Sequence, residues 1–424
     1  MDITTPIDTA LELNEQSTRE KIFKILTLSV PILMGIFIFL NPFPHTTSIK
    51  EICFYSSFFI VLILICFKKI DFSFKSPLTL PFALFVIWVF IGLFFSLDKE
   101  NSIHDFRAHL LKYLVIYYIL INFINSEKRL EVFSWIIIIS ATLFSIGEIY
   151  YFYFMLGSSF SAKLLPGLNE IAVNQIGFIT VTAAIFSLYH LTTVGNLFIK
   201  IISLISLFPL CALSILTQTR STALALLVAV IILFLKNKKV LVACLAIILI
   251  VVTMTPVGNR FIHINPITDL RIDIDYTTSE IIKDFPIFGI GFGMETYGNK
   301  KYIDLDAYNK NVPVKYRQKS IHYFPHSMLF SIAVRTGLVG FALFLYILFI
   351  TFMTCWNCIR YGKNDFIKRW GLCVASVLVT IIVIGIFEAW SRHVQEVVLY
   401  TALAMMTIVW KLNNVSSEDS TGTD

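Results

Sequence analysis

Charge is what this chain has least of. Asp, Glu, Lys and Arg make up only 15% of its 424 residues, whereas a soluble globular domain carries about a quarter, so an ordinary water-soluble fold is excluded. Cysteine is absent from 257–324, the one long polar stretch. The seven cysteines present (53, 66, 211, 244, 355, 358 and 373) lie in or beside apolar runs, which argues against a disulfide scaffold. Short segments of alternating hydrophobicity are missing, which excludes a porin-like barrel. The first 22 residues are polar, with no short apolar core or small-residue cleavage site, so no removable signal peptide is expected.

What the chain has is apolar length. It is 57% hydrophobic and 15% aromatic, with a mean hydropathy of +0.77. Twelve apolar stretches lie near 24–41, 51–67, 78–96, 108–124, 132–156, 171–193, 198–216, 219–235, 239–255, 325–354, 369–390 and 394–412. Most are close to the roughly 20 residues that cross about 30 Å of hydrocarbon at 1.5 Å per residue. Irregular backbone cannot face lipid, so these stretches are helices. The expected fold is an all-α polytopic membrane protein with about twelve transmembrane helices. A tail at 1–23 precedes nine spans in 24–256, a polar loop holding short helices covers 257–324, and three spans lie in 325–412. The remainder, 413–424, is rich in Ser, Thr and Asp and reads as disordered.

Cations set the orientation. Arg19, Lys21 and Lys24 precede the first span; Lys68, Lys69 and Lys75 follow the second; Lys128 and Arg129 follow the fourth. Lys200, then Lys236, Lys238 and Lys239, then Arg360, Lys363, Lys368 and Arg369 continue the pattern. All fall on one side if both termini are cytoplasmic, and the loop 257–324 then faces outward. The net charge of +6 is largely this bias and calls for no nucleic-acid partner.

Chemistry is therefore expected on the outer face. Charges in or near hydrocarbon cost roughly 2.5–3.5 kcal/mol each on insertion scales and tend to be functional. Arg220 opens the eighth span after the tight turn Thr217–Thr219, where it either binds an anion or snorkels to the interface. Pro325 is expected to start the tenth span, because proline suits a first helical turn. That puts His326 at a helix N-terminus, which disfavours its protonated form and suits a general base. The bland alternative is an interfacial histidine holding a hydrogen bond.

Within the loop, Leu270, Ile274, Ile281, Ile282 and Phe285 follow a helical period and predict a surface-lying amphipathic helix stopped by Pro286, with Arg271 in its first turn. Arg260 stands nearer the ninth span. Ile287–Gly293 is glycine-rich but lacks the strand-turn-helix context and lysine of a phosphate loop. Asp273/Asp275 and Asp304/Asp306 raise the possibility of a divalent metal, though two carboxylates do not complete an oxygen shell. Cys355–Cys358 has redox or zinc spacing but stands alone. Arg107 with His104 and His109, Asn174 with Gln175, and Glu388 with Arg392 and His393 are further outer-face candidates. Glu388 and Arg392 have the i,i+4 spacing of a helical ion pair.

His326-Ser327, nine residues, then Gly337-Leu338-Val339-Gly340 resembles the histidine-to-Gly-x-x-Gly signature of the bacterial lipopolysaccharide O-antigen ligases, within the wider group of O-antigen ligases, polymerases and protein O-oligosaccharyltransferases. Thr217–Arg220, Asn174–Gly177, Arg271 and Asp284–Gly291 are similar to that family's pattern in order and sidedness. The resemblance implies a GT-C-like architecture and a cofactor-free, metal-independent, inverting glycosyl transfer on the periplasmic face of the bacterial inner membrane. The donor it implies is an undecaprenyl-diphosphate-linked glycan, the acceptor is lipid A–core oligosaccharide, and membrane lipid surrounds both. By the same resemblance His326 matches the essential base and Arg220 and Arg271 the essential arginines, with Arg260 as the alternative to Arg271. Arg107, Asn174, Gln175, Ser327 and Arg392 are added as substrate-binding candidates. Gly337 and Gly340 are expected to let helices approach closely. A polymerase of the same layout and a transporter of the same lipid-linked sugar are the competing functions. The transporter predicts internally repeated halves and charges deep in several helices, and the sequence displays neither.

Overall fold

The computed structural model describes residues 6–159, 161–167, 172–193, 195–254, 270–317, 324–388, 390 and 393–418, and among these it is helical without strands. The helices are α1 Pro6–Phe39, α2 Thr47–Cys66, α3 Thr79–Phe95, α4 Lys99–Asp105, α5 Lys112–Phe123 and α6 Glu127–Tyr150. Next come α7 Val173–Thr193, α8 Leu197–Leu216, α9 Arg220–Phe234 and α10 Lys238–Met254. Then follow α11 Leu270–Asp284, α12 Leu305–Asn309, α13 Met328–Tyr361, α14 Asp365–Gly385 and α15 His393–Glu418. A π-helical stretch, Phe106–Leu111, joins α4 to α5, and another, Tyr151–Met155, extends α6.

Eight of these helices are long and apolar enough to cross a membrane. The other four expected spans exist as shorter helices. α3 and α10 have 17 residues each, α9 has 15, and α5 has 12 after its π-helical lead-in. At 1.5 Å per residue, α9 is about 22 Å long, less than the roughly 30 Å of hydrocarbon.

Side-chain size sorts centre from rim. α7, α14 and α15 are the most buried, and their sequences alternate bulky residues with Ala, Ser, Thr and Gly. Small residues let backbones approach closely where lipid gives no hydrophobic drive to association. Trp370 of α14 fills the space beside them, its ring 4.5 Å from Tyr189 and 5.9 Å from Phe186 of α7. α1, α2 and α8 carry dense runs of Ile, Leu and Phe, stay largely exposed and form the lipid-facing rim.

α13 is broken. Gly337 lies inside it with φ 71° and ψ 179°, so Met328–Thr336 and Leu338–Tyr361 are two helical pieces. The segment after α11 inserts into the gap. Leu338 N–H donates to Pro286 O (2.7 Å) and Ile290 N–H donates to Val334 O (2.9 Å). Any side chain at Gly337 would overlap the Ile287 carbonyl, and one at Gly289 would overlap Val334 O. Phe288 stacks on Phe95 (4.3 Å) and Trp88 (4.7 Å) of α3, while Trp88 Nε1 donates to Thr336 O (2.9 Å). Below, α4 receives the chain: Gly293 N–H donates to Ser102 Oγ (3.0 Å), Met294 N–H to Asp105 Oδ2 (2.8 Å) and Glu295 N–H to Asn101 Oδ1 (3.2 Å).

Several expectations change. Gly337 admits loop backbone instead of a neighbouring helix, whereas Gly340 does face α3, its missing Cβ lying 3.0 Å from Trp88 Cδ1. The tenth span starts at Met328, with Ser327 at the N-cap position, so Pro325 and His326 precede the helix. Helix 270–284 forms as expected, but it packs on α13 and buries Ile274 and Ile281 against the protein. α14 ends at Gly385 and 386–388 form a turn, while Arg392, the partner expected for Glu388, lies outside the described residues. α1 reaches back into 6–23, and α15 runs on to Glu418, so 413–418 is helical.

Gly337→Ala is predicted to lower the thermal unfolding midpoint of the detergent-solubilised protein by several degrees. The positive φ alone costs roughly 1–3 kcal/mol for a non-glycine residue, and the Cβ must also expel the Ile287 carbonyl. Gly92→Ala, where a Cβ meets nothing within 4 Å, should leave the midpoint unchanged.

Candidate active site

The end of the bundle that carries 270–317, called here the loop end, gathers several of the expected residues around the last turn of α14. Arg220 is the first residue of α9, half-buried, after a turn in which Gln218 adopts φ 50° and Thr219 Oγ1 donates to Thr222 Oγ1 (2.6 Å). Thr222 occupies the space beside Gly177 of α7, and Ile384 of α14 lies 3.4 Å from where a Gly177 Cβ would stand. The next residue, Gly385, faces Met328, whose Sδ lies 3.1 Å from where a Gly385 Cβ would stand. Met328 is two residues from His326, which is half-buried, and one from Ser327, which is buried. Two residues past Gly385, the Phe387 ring lies 5.4 Å beneath the Arg271 guanidinium. Arg271 lies on Phe387, His326 stands two residues before the Met328 that faces Gly385, and Arg220 stands two residues before Thr222, which meets Ile384 of α14 only through Gly177 of α7.

Gln175 joins them through α7, two residues from Gly177. It is 1% exposed, and its Oε1 has no hydrogen-bond partner among the described residues. A buried amide oxygen without a partner costs about 1–3 kcal/mol. Asn174 lies beside it on α7, its side chain outside what is described. Arg260 and Arg392 fall outside the described residues. Arg107 is exposed on the π-helical stretch, which packs on α3, α4 and α5, away from α14.

The Asp304/Asp306 pair has structural work. Asp304 caps α12 by accepting from Ala307 N–H (3.1 Å), and Asp306 lies 3.5 Å from Lys300 Nζ. Tyr308 donates to Asp284 (2.7 Å), and burial with that carboxylate pushes its phenol up to about 12. Tyr297 shares a hydrogen bond with Thr278 (2.9 Å), and burial likewise raises it to about 12. No three His, Cys, Asp or Glu side chains converge as a metal-holding group among the described residues.

A second charged cluster was missed from the sequence. His109, on the π-helical stretch, pairs with Glu396 of α15 (Nδ1 to Oε2, 2.6 Å), and both are buried. Its Nε2 lies 3.9 Å from Asp105, which also accepts from the loop at Met294. Arg335 of α13 is buried with Asp105 and Glu396 in electrostatic reach. Its guanidinium donates to Phe292 O, packs 4.3 Å over the Phe292 ring and reaches Trp390 O (3.4 Å). A cavity of about 40 Å³ adjoins His109, Arg335 and Glu396. The signal was present: Arg335 and Glu396 are charges inside the tenth and twelfth apolar spans, where insertion is costly. Arg335 and Asp105 fasten the inserted loop to α13 and α4, and the His109–Glu396 pair ties the π-helical stretch to α15.

The architecture is that of a polytopic helical membrane protein, and Arg271 and the approach to His326 meet the end of α14. Residues 202–345, about a third of the chain, match the family described as O-antigen ligase. That match supports the O-antigen ligase family and, with it, a membrane enzyme of ligase or polymerase type. The matched stretch runs from α8 through α13 and contains Arg220, Arg271, His326 and Gly337–Gly340. No curated protein matches the chain.

Removing one member of the buried pair is predicted to cost more than removing both. His109→Leu should destabilise the protein by about 3 kcal/mol, since it leaves a buried carboxyl without its partner. Adding Glu396→Leu should recover part of that loss. A denaturation series in detergent that finds the two effects simply additive would contradict the coupling.

Proposed function

We propose that the protein is a glycosyltransferase of the O-antigen ligase type, acting at the outward face of the bacterial inner membrane. It transfers glycan from undecaprenyl diphosphate to a sugar hydroxyl of lipid A–core. The observation that carries this reading is the clustering of Arg220, Arg271 and His326 around the end of α14, inside or beside the family-matched segment.

His326 takes the proton of the acceptor hydroxyl as its oxygen attacks the anomeric carbon from the face opposite the diphosphate. The bond from that carbon to the diphosphate oxygen breaks, and undecaprenyl diphosphate leaves with the electron pair, inverting the centre. Negative charge grows on the leaving group, and guanidinium groups bind it bidentately without a metal. Because that charge is greatest in the transition state, preorganised arginines lower the barrier more than they tighten substrate binding. The unpartnered Oε1 of Gln175 is suited to accept from a sugar hydroxyl. The polyprenyl chain lies along lipid-facing helices while its head group meets the arginines.

Purified protein with lipid-linked glycan and rough lipopolysaccharide is expected to form coupled product in EDTA. His326→Ala should lower the rate by about 10²–10⁴-fold, the usual worth of a general base, without changing the unfolding midpoint. Arg220→Lys should lose about tenfold or more, because a point charge replaces a fork. A His326→Ala rate equal to wild type removes the base, and activity that vanishes with chelator removes the metal-free mechanism. In a deletion strain, lipopolysaccharide lacking all attached glycan marks a ligase; a single attached repeat marks a polymerase.

A further inference from the structure

At the opposite end of the bundle, α1 and α6 leave an open apolar groove of about 760 Å³. Its walls are Leu28, Ile32 and Ile36 of α1 and Val132 and Ile136 of α6, and its mouth is marked by Lys128 and Arg129. The recess has a sequence origin. Pro31 sits inside α1, and Gly35 presents no side chain, so Ile136 Cδ1 comes within 3.0 Å of where its Cβ would stand. α1 and α6 run parallel here, since Gly35 lies beside Ile136 and Phe39 O accepts from Ser140. From Leu28 to Phe39 the groove is about 16 Å long at 1.5 Å per residue, half of the roughly 30 Å hydrocarbon. It matches one leaflet.

The mouth is positive. Lys128 and Arg129 are exposed in the first turn of α6, where the helix dipole already adds positive charge and opposes cations. Lys24 is exposed one turn before Leu28 on the same face of α1. Lys69 lies 5.2 Å from the Phe23 ring near the same end. Of the acidic groups on α6 nearby, Glu127 accepts from Asn364 (3.3 Å), and Glu131 is not part of the groove wall. Arg129 donates to Phe123 O (2.8 Å) and Asn125 Oδ1 (3.0 Å), which fixes its guanidinium beside the mouth.

We infer that this groove binds one anionic glycerophospholipid from the leaflet opposite the loop end, an acyl chain lying between α1 and α6 and the phosphate head group at Lys128 and Arg129. Apolar walls of single-leaflet length ending in cations fit that occupant. A zwitterionic lipid would bring its own ammonium to an already positive mouth. The site is separate from the proposed glycosyl-transfer centre and stands whether or not that reaction is correct.

The test is lipid retention. The protein is reconstituted in equal phosphatidylglycerol and phosphatidylcholine, extracted in detergent, and its bound lipid counted by native mass spectrometry. Wild type is expected to keep one phosphatidylglycerol in preference to phosphatidylcholine. Near-surface cations contribute about fivefold each. Lys128→Gln should cut the preference by about that factor. Val132→Trp, at an exposed groove position, should abolish retention while the unfolding midpoint in detergent stays in place. Equal retention of both lipids by wild type, or unchanged retention in Val132→Trp, overturns the inference.

Discussion

A helix that breaks inside an apolar bundle strands backbone N–H and C=O groups where no water can reach them, and each unsatisfied group costs several kcal/mol. α13 breaks at Gly337, and the chain after α11 supplies the missing partners: Pro286 O for Leu338 N–H, and Ile290 N–H for Val334 O. The exchange needs backbone against backbone, so both Gly289 and Gly337 must lack side chains. Phe288 then enters an aromatic slot on α3, and Arg335 and Asp105 hold the segment on its far side. An extramembrane segment is thereby fixed to the bundle by hydrogen bonds, stacked rings and buried charge at once.

That fixation bears on the candidate site. α11 packs on the same helix that begins just after His326 and carries Arg271 in its first turn. The inserted segment follows α11 directly, so the break in α13 also anchors the C-terminal end of α11. α14 completes the arrangement from the other side, touching Gly177 and Met328 and reaching Arg271 through Phe387. The proposed chemistry and the Asp105–His109–Glu396–Arg335 cluster occupy neighbouring parts of one end, the first around α14 and the second between α4, α13 and α15. Within that cluster, Arg335 and Asp105 hold the inserted loop.

Much of the scaffold was legible because lipid imposes simple demands. Apolar length located the helices, and the 3.6-residue period of Leu270–Phe285 revealed α11. The turn before Arg220 was visible in its own sequence. Arg335 and Glu396 went unread despite standing inside apolar spans, since the partners that make them affordable come from 230 and 287 residues away at Asp105 and His109. The glycine-rich segment Ile287–Gly293 showed only what it is not, because a sequence gives no sign of a distant gap that its backbone will fill. Helix ends also shifted: Pro325 marks a start only approximately, and the true first residue, Met328, depends on packing against Gly385.

By itself the sequence determined that this chain forms apolar helices, most of them long enough to cross a membrane, and that most of its charge lies between them. Both follow from the cost of exposing backbone and charge to hydrocarbon, which acts residue by residue. Only the tertiary structure decided that a helix would break at Gly337, that a loop would mend it, and that the end of α14 would meet Gly177, Met328 and Arg271. Those outcomes depend on contacts between segments tens to hundreds of residues apart. No local pattern encodes which distant carbonyl will meet a stranded N–H.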